Sequence, residues 1–317
     1  MKNEPERIAV ISDIHGNYPA LVSVAEDAEK YGVNQYIFIG DYIFDLPFSN
    51  EVARFLMGLE NAYIIKGNKE NYLNWFASDD QRNWTYDQMG GMYQAFRELA
   101  PDVFNFLNDL EDERYIKITP DITVYAAHIP AFFKTLPKDK SQSKTYHKKM
   151  LDKPFTHNKY LSEFGEAVNT DECKTVIKKI DADVILFGHN HLQAHAYCGD
   201  KLIVNSGSCG QPLDFNNEAA YTILEITDGR LNVIERRVNY DVEYSIRKLR
   251  GSAIYEKGRM WSELVCLALR TGRDYFGIFF EIAGRIKSAK GEEGMFFSNP
   301  TWEEATEIFT EEYKGVL

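Results

Sequence analysis

Short apolar runs alternate with amphipathic segments along the first two thirds of the chain. The runs at residues 8–11, 36–39 and 63–65 are each followed by a polar loop that contains glycine. The segments between them, at residues 19–32 and 49–59, carry apolar side chains at helical spacing. Strands that alternate with helices in this way predict a layered α/β fold with a parallel sheet. The loops after the strands should meet at one edge of that sheet.

The same pattern continues after residue 113. Further strands are predicted at residues 115–118, 122–126, 184–187 and 202–204, and a helix at 170–180. Two longer apolar segments on either side of Asp228-Gly229 predict a β-hairpin.

Two insertions and a C-terminal extension surround these elements. Residues 71–112 form an aromatic-rich helical pattern, either a helical pair packed on the sheet or a cap over the site. Residues 131–170 are polar and irregular, like a lid that carries His147 and His157. We therefore expect a main domain over residues 1–250 and a helical extension over 251–317. In the extension, Gly272 and Gly277 are expected to interrupt one long helix, and Thr301 to open the last helix with a capping box. The extension either packs on the body, forms a homo-oligomer surface or caps the substrate.

Composition narrows the class of protein. The chain has 317 residues, 44% of them hydrophobic, and a net charge of −12, which disfavours nucleic acid and anionic membranes as partners. The polar N-terminus does not resemble a secretory signal, and no apolar run is long enough to cross a bilayer. The four cysteines lack Cys-x-x-Cys spacing and are expected to be reduced thiols in the cytoplasm.

The loops after the strands carry the candidate chemistry. They supply a mixed set of oxygen and nitrogen ligands: Asp13, His15, Asp41, Asn68, His128, His189 and His191. Such a set suits a pair of divalent transition metals, namely Mn, Fe, Zn, Co or Ni, of which we favour Mn. A pair of metals needs a bridging carboxylate, and Asp41 is the natural candidate.

These motifs, in this order, resemble the calcineurin-like metallophosphoesterase superfamily over residues 8–241. The opening Ser-Asp-Ile-His-Gly-Asn is similar to that of a bacterial and archaeal phosphodiesterase-like group. The resemblance implies a four-layer αββα sandwich with two sheets. It also implies that Asp13, His15 and His191 bind one metal, that Asn68, His128 and His189 bind a second, and that Asp41 bridges them.

The resemblance further implies hydrolysis of a phosphoester by a water that the two metals activate for in-line attack on phosphorus. No nucleophile motif such as Gly-x-Ser-x-Gly is present in the sequence, which agrees with direct attack by water.

The sequence departs from the family pattern at three places. Lys69 replaces the histidine that follows Gly-Asn, and Ile129 replaces the glycine after the metal-binding His128. Phe44-Asp45-Leu46 replaces the usual small and aromatic residues after Gly-Asp. Lys69 is expected to stabilise the transition state and bind the phosphate, whereas Asp45 either adds charge near the substrate or caps a turn.

Two functions are therefore compared. The first is a phosphodiesterase or phosphatase that acts on a small phosphoester or nucleotide, and the second is a catalytically impaired scaffold that binds a partner. Retention of all seven ligand positions favours the enzyme. The acidic charge disfavours a nuclease, and the missing Gly-Asp-x-x-Asp-Arg-Gly motif disfavours a protein phosphatase.

Overall fold

The computed structural model describes residues 5–78, 87–141, 146 and 155–315. Its strands are β1 (Glu6–Ile11), β2 (Gln35–Ile39), β3 (Ala62–Ile65), β4 (Glu113–Lys117), β5 (Thr123–Ala127), β6 (Val184–Phe187), β7 (Ala194–Cys198), β8 (Lys201–Asn205), β9 (Ala219–Thr227) and β10 (Arg230–Val238).

The helices of the body are α1 (Tyr18–Lys30), α2 (Ser49–Met57), α3 (Asn68–Ser78), α4 (Asp87–Arg97), α5 (Pro101–Asn108), α6 (Lys138–Ser141), α7 (His157–Val168), α8 (Asp171–Ile177) and α9 (Val242–Arg250). Those of the extension are α10 (Ala253–Lys257), α11 (Arg259–Thr271), α12 (Tyr275–Ala289) and α13 (Asn299–Glu312).

The strands form two five-stranded sheets. The first has the order β10-β9-β1-β2-β3. In it, β1, β2 and β3 are parallel to one another, and β9 is antiparallel to both of its neighbours, β1 and β10. The second has the order β4-β5-β6-β8-β7, with β5, β6 and β8 parallel and an antiparallel strand at each edge. Both sheets are therefore mixed. The predicted parallel arrangement holds for β1, β2 and the edge strand β3 of the first sheet and for the three central strands of the second. The predicted hairpin is present as β9 and β10, joined by Asp228-Gly229.

Hydrophobic clusters on both faces of each sheet explain the continuous apolar runs in the strands. Ile8 and Val10 of β1 belong to a cluster between the two sheets, whereas Ala9 and Ile11 belong to a cluster with helices α1 and α2. A third cluster joins the outer face of the second sheet to α7 and α8. The predicted four-layer αββα sandwich is thereby confirmed. It buries each central strand on both sides.

The insertions are more helical than the sequence indicated. Residues 68–108 contain three helices among the described residues rather than a helical pair, and residues 79–86 lie outside the description. The expectation of an irregular lid over 131–170 is wrong for α7, because Tyr160, Phe164 and Val168 bury one helical face among polar neighbours. His147, a candidate lid residue, lies outside the described residues.

The C-terminal extension is helical, as predicted, and has a hydrophobic cluster of its own. Gly272 ends α11 with a left-handed φ of 63°, as expected, but Gly277 lies inside α12 and does not interrupt it. The predicted capping box at Thr301 is wrong, because Ser298 is the N-cap of α13 and its side chain accepts from the Thr301 amide. The domain division at residue 250 stays a prediction.

All four cysteines are buried and free of disulfides. Among the described residues, no helix combines the length and the apolar character that a membrane span requires.

Candidate metal centre

The seven predicted ligands follow the C-terminal ends of strands in both sheets. Asp13 and His15 follow β1, and the other five follow β2, β3, β5 and β6. Backbone hydrogen bonds join the first two loops: the amides of Ile14 and His15 both donate to the Asp41 carbonyl, at 2.8 and 3.0 Å. The His189 amide contacts both Asp13 carboxylate oxygens at 3.1 and 3.2 Å, which brings the β6 loop of the second sheet to the same place.

Asp13, His15 and His191 form one compact group of ligand atoms. His15 Nε2 lies 3.1 Å from His191 Nε2, and Asp13 Oδ1 lies 3.2 Å from the latter nitrogen. All three residues are buried. Their ligand atoms all lie within 4.8 Å of one another, close enough to hold one metal ion. The assignment of a metal to them stays a prediction.

Asp13, Asp41 and His128 form a second group. His128 Nε2 lies 3.4 Å from Asp41 Oδ2 and 3.8 Å from Asp13 Oδ1, yet it makes no hydrogen bond with any described residue. Asp41 Oδ2 is also 3.9 Å from His15 Nε2, so its carboxylate lies between the two groups. Asp13 belongs to both groups as well.

Asn68 and His189 lie together beside these groups. Asn68 Oδ1 is 3.0 Å from His189 Nδ1, and the His189 ring is 5.5 Å from the His128 ring, edge to face. Asn68 is the first residue of α3, so the start of that helix positions its amide.

Two of the histidine rings, those of His128 and His191, are anchored at the nitrogen that faces away from the centre. His128 Nδ1 is 2.6 Å from the Ile39 carbonyl, and His191 Nδ1 is 2.6 Å from the Gln211 carbonyl. A carbonyl accepts only from a protonated Nδ1, which leaves the Nε2 lone pair of a neutral ring directed inward. The Nε2 of His191 also lies 3.1 Å from that of His15. These two nitrogens, together with the Nε2 of His128, fit a site that holds cations.

The pKa values show how the centre is charged when no cation balances the carboxylates. Burial opposes charging of His128, but the Asp41 and Asp13 carboxylates outweigh it and raise its pKa to about 10. For His15, burial is likewise outweighed by Asp13 and Asp45, and the pKa rises to about 9. Burial and the neighbouring His128 lower the pKa of His189 to about 4. Protons on His15 and His128 thus occupy positions that a divalent ion would take, with proton release on binding.

The ligand loops are held in an unusual backbone conformation. Asp13, His15, Asp41, His189 and His191 all have φ between 52° and 74°. This left-handed region is unfavourable for residues other than glycine and is typical of functional sites in which the surroundings fix the geometry.

Glu70 is a supporting residue whose role the sequence analysis missed. Its carboxylate accepts hydrogen bonds from the amides of Asp41, Tyr42 and Gly67, at 2.7 to 2.9 Å, and so joins the β2 and β3 loops. Burial and the nearby Asp41 raise the pKa of Glu70. Its bond to Gly67 is half of a capping box for α3, so a glutamate three residues after the turn glycine was the available signal.

Comparison with known proteins agrees with this geometry. Residues 6–193 match the family described as calcineurin-like phosphoesterase. The chain belongs to the calcineurin-like phosphoesterase family. The matched residues include the two candidate groups, Asp13, His15 and His191 with Asp41 and His128.

Relatives of this phosphoesterase include uncharacterised proteins. It is 24% identical over 258 residues to the uncharacterised protein MJ0912 of Methanocaldococcus jannaschii, and the alignment covers 76% of this chain and 91% of that protein. A metallophosphoesterase from Sphaerobacter thermophilus aligns with a TM-score of 0.57 at 20% identity, over 84% of this chain and 99% of that one. The hypothetical protein PH1004 of Pyrococcus horikoshii aligns with a TM-score of 0.56 at 18% identity, over 84% and 98% of the two chains. These structures share the fold.

Two of the departures from the family pattern form a buried ion pair in this phosphoesterase. Lys69 Nζ lies 3.4 Å from Asp45 Oδ2, and both side chains are at most 10% exposed. Burial opposes the charge of Lys69, but Asp45 outweighs it and raises the lysine pKa, so the ammonium keeps its proton and is a poor general acid. Asp45 also lies 2.7 Å from His15 Nδ1. Contact of either residue with substrate stays a prediction.

The third departure lies at the surface. Ile129, which directly follows His128, exposes 39% of its surface. An exposed branched apolar side chain therefore stands next to a candidate ligand, where the family pattern has glycine.

Proposed function

We propose that this protein is a dinuclear metal-dependent phosphoesterase that hydrolyses a phosphodiester or phosphomonoester of a small molecule or nucleotide. The observation that carries the proposal is the convergence of three imidazole Nε2 atoms on two buried carboxylates. Membership of the calcineurin-like phosphoesterase family supports a hydrolase of phosphoric esters.

In this proposal, each ligand keeps the role given by the resemblance. Asp13, His15 and His191 would hold the first ion, Asn68, His128 and His189 would hold the second, and the Asp41 carboxylate would be shared by both. Oxygen and imidazole ligands favour Mn, Fe, Zn, Co or Ni, with Mn the first choice. When bound, the two ions supply Lewis acidity toward the phosphoryl oxygens and make water nucleophilic at neutral pH.

The protein groups contribute position and charge. The carbonyls of Ile39 and Gln211 keep His128 and His191 from rotating, and Glu70 keeps the Asp41 loop against the start of α3. We propose that Lys69 adds positive charge beside the candidate ligands and that the negative charge of Asp45 partly offsets it. Solvent would protonate the leaving group. Such a site favours esters whose leaving group departs readily.

The expected setting follows from the same features. A small phosphoester or nucleotide is the proposed substrate, because the acidic chain repels nucleic acid polymers. The four free thiols agree with a reducing compartment, and we retain the cytoplasm as the proposed location.

Hydrolysis of paired nitrophenyl esters tests the function. Metal-stripped protein is assayed with bis(p-nitrophenyl) phosphate and p-nitrophenyl phosphate after addition of Mn²⁺, Ni²⁺, Zn²⁺ or Mg²⁺. We expect turnover that requires a transition metal, with the diester preferred. A preference for the monoester would require a different role for Lys69.

A matched pair of variants distinguishes loss of turnover at the site from a general effect of an Asp-to-Asn substitution. Asp41→Asn should abolish turnover, whereas Asp109→Asn, at the exposed end of α5, should leave it unchanged. Turnover that survives metal removal or Asp41→Asn would contradict the proposal. Protein that binds no metal and hydrolyses neither ester would favour the scaffold alternative.

A further inference from the structure

We propose that Trp261, in the C-terminal extension, is a positioning residue for the metal ligand His15 and acts through Asp45. The proposal rests on the function proposed above, because it assigns His15 to a metal. It extends the centre to a residue outside the stretch of residues 6–193 that matches the family.

Asp45 connects the extension to the ligand. Its Oδ1 accepts a hydrogen bond of 2.8 Å from Trp261 Nε1, and its Oδ2 lies 2.7 Å from His15 Nδ1. The residue is 3% exposed, so solvent does not replace either contact. A carboxylate at the second nitrogen of a metal-binding histidine fixes the ring orientation and raises its basicity as a ligand.

The carboxylate of Asp45 has two competing partners on one oxygen. Lys69 Nζ lies 3.4 Å from the same Oδ2 that faces His15. Rotation of the carboxylate toward Lys69 would weaken its contact with the histidine. The hydrogen bond from Trp261 holds the other oxygen and opposes that rotation.

Trp261 is itself fixed by the helices of the extension. It lies near the start of α11, and its ring centroid is 4.9 Å from that of Phe276 and 6.0 Å from that of Phe280, both in α12. The face of the indole also lies 5.5 Å from Lys69 Nζ, a distance at which a cation is attracted to the ring. One side chain therefore contacts both members of the buried ion pair.

The consequence is that the extension forms part of the metal centre. If α11 were displaced, Asp45 would lose its fixed orientation and His15 would lose its support. We therefore expect the affinity for the first metal, rather than the fold of the body, to depend on the Trp261 N–H.

Trp261→Phe tests this because it removes the N–H donor and keeps an aromatic ring. Trp302→Phe is the matched control. Trp302 belongs to the same extension, and its Nε1 donates at 2.6 Å to Asp87 of α4, which is not a candidate ligand. Circular dichroism confirms folding, and Mn²⁺ binding is measured on the full chain by electron paramagnetic resonance. We expect Trp261→Phe to weaken binding at one site about fivefold, less than the 10–100-fold typical of direct supporting residues. Trp302→Phe should change it less than about twofold.

A double-mutant cycle gives a test that a merely structural role would not pass. Asp45→Asn should weaken the same metal by about 10–100-fold, and Trp261→Phe should then have no further effect. Independent, multiplicative effects would overturn the proposal, as would unchanged or tighter Mn²⁺ binding in Trp261→Phe alone.

If Trp261→Phe fails to fold, the wild-type chain still provides the test. With ¹⁵N-indole labelling, the Trp261 Nε1–H resonance should shift when Zn²⁺ is added, and that of Trp302 should not. Equal responses of both resonances would overturn the proposal. Absence of metal binding in the wild-type protein would instead contradict the proposed function, so the two failures are distinct.

Discussion

His15 Nε2 lies 3.1 Å from His191 Nε2, although 176 residues separate them in the sequence. At its other nitrogen, His15 lies 2.7 Å from the Asp45 carboxylate and His191 lies 2.6 Å from the Gln211 carbonyl. Without a cation, the raised pKa of His15 lets the two nitrogens share a proton. A divalent ion can replace that proton and bind both lone pairs, and the first predictions concern this exchange.

Metal removal should destabilise the protein. Without cations, the buried Asp13 and Asp41 carboxylates repel each other, and an ion present at 100 times its Kd stabilises the folded state by about 2.7 kcal/mol. Adding Mn²⁺ to metal-stripped protein should therefore raise Tm by several degrees. The control is His191→Asn, in which the increase should be smaller. An equal increase in both proteins would show that Mn²⁺ binds elsewhere.

Asp41→Asn and Lys69→Ala should have different effects on the metals. Asp41 lies between the two ligand groups, so Asp41→Asn should lower the content of both metals and abolish turnover. Lys69 Nζ pairs with Asp45, which is not itself a candidate metal ligand. Lys69→Ala should therefore keep the metals and mainly lower turnover. Removing one partner of a buried ion pair should also lower the free energy of unfolding by about 3 kcal/mol. Elemental analysis measures the metal content of the two variants, and kinetics measures their turnover. Equal metal loss in both variants would refute the role given to Asp41.

Lys69→His is a sharper probe of the departure from the family. If the lysine charge replaces a proton donor poorly, the histidine variant should hydrolyse the monoester faster than the wild type. An unchanged rate would mean that solvent or another group supplies the proton. The comparison uses p-nitrophenyl phosphate and phenyl phosphate, because only the poorer leaving group of the latter needs protonation.

Gly67→Ala should damage the centre, whereas the same substitution at Gly284 should not. A Cβ at Gly67 would lie 2.3 Å from Asp41 Oδ1 and 2.5 Å from the Asp41 amide, so the bridging carboxylate would have to move. At Gly284, inside α12, nothing lies within 4 Å, and alanine should stabilise the helix by about 0.5–1 kcal/mol. Mn²⁺ binding and urea unfolding check both variants. Normal Mn²⁺ affinity in Gly67→Ala would contradict the described geometry.

Acid should weaken a contact between the two sheets through Glu235. This residue of β10 lies 2.5 Å from His157 Nε2 and 2.9 Å from His195 Nδ1 of β7. Burial opposes its ionisation, but the two histidines outweigh burial and lower its pKa to about 2. Its folded-state pKa is below the unfolded value, so its contribution is complete above about pH 4.3 and is lost as the pH falls toward 2.

Glu235→Gln tests this pH dependence. The difference in unfolding free energy between wild type and variant should be on the order of 2 kcal/mol at pH 6 and should shrink by pH 3. Urea unfolding at the two pH values measures it. A difference that stays constant with pH would contradict the lowered pKa.

Much of the fold and the clustering of the candidate ligands could be predicted because both depend on local patterns. Buried runs such as β6 identify strands, and each of the seven ligands directly follows one of them or lies a few residues beyond it. The order of the motifs then brings them to neighbouring strand ends. Helix α7 was missed because its buried face, with Tyr160 and Phe164, is diluted by polar residues.

The contacts that hold the candidate ligands in place could not be predicted because they join residues that are far apart in the sequence. The bond from Trp261 to Asp45 joins residues 216 positions apart, and the anchor of His128 is a backbone carbonyl 89 positions away. Backbone carbonyls have no sequence signature. The left-handed φ of ligands such as Asp13 and His191 is likewise imposed by the surrounding loops rather than by their own side chains.

The most direct test of the central claim is a titration of metal-stripped protein with Mn²⁺, in which bound metal and turnover of bis(p-nitrophenyl) phosphate are measured on the same samples. The account predicts that turnover rises until two ions are bound per chain, and that Asp41→Asn reaches neither the stoichiometry nor the rate. Saturation of turnover at one ion per chain, or turnover without bound metal, would contradict it.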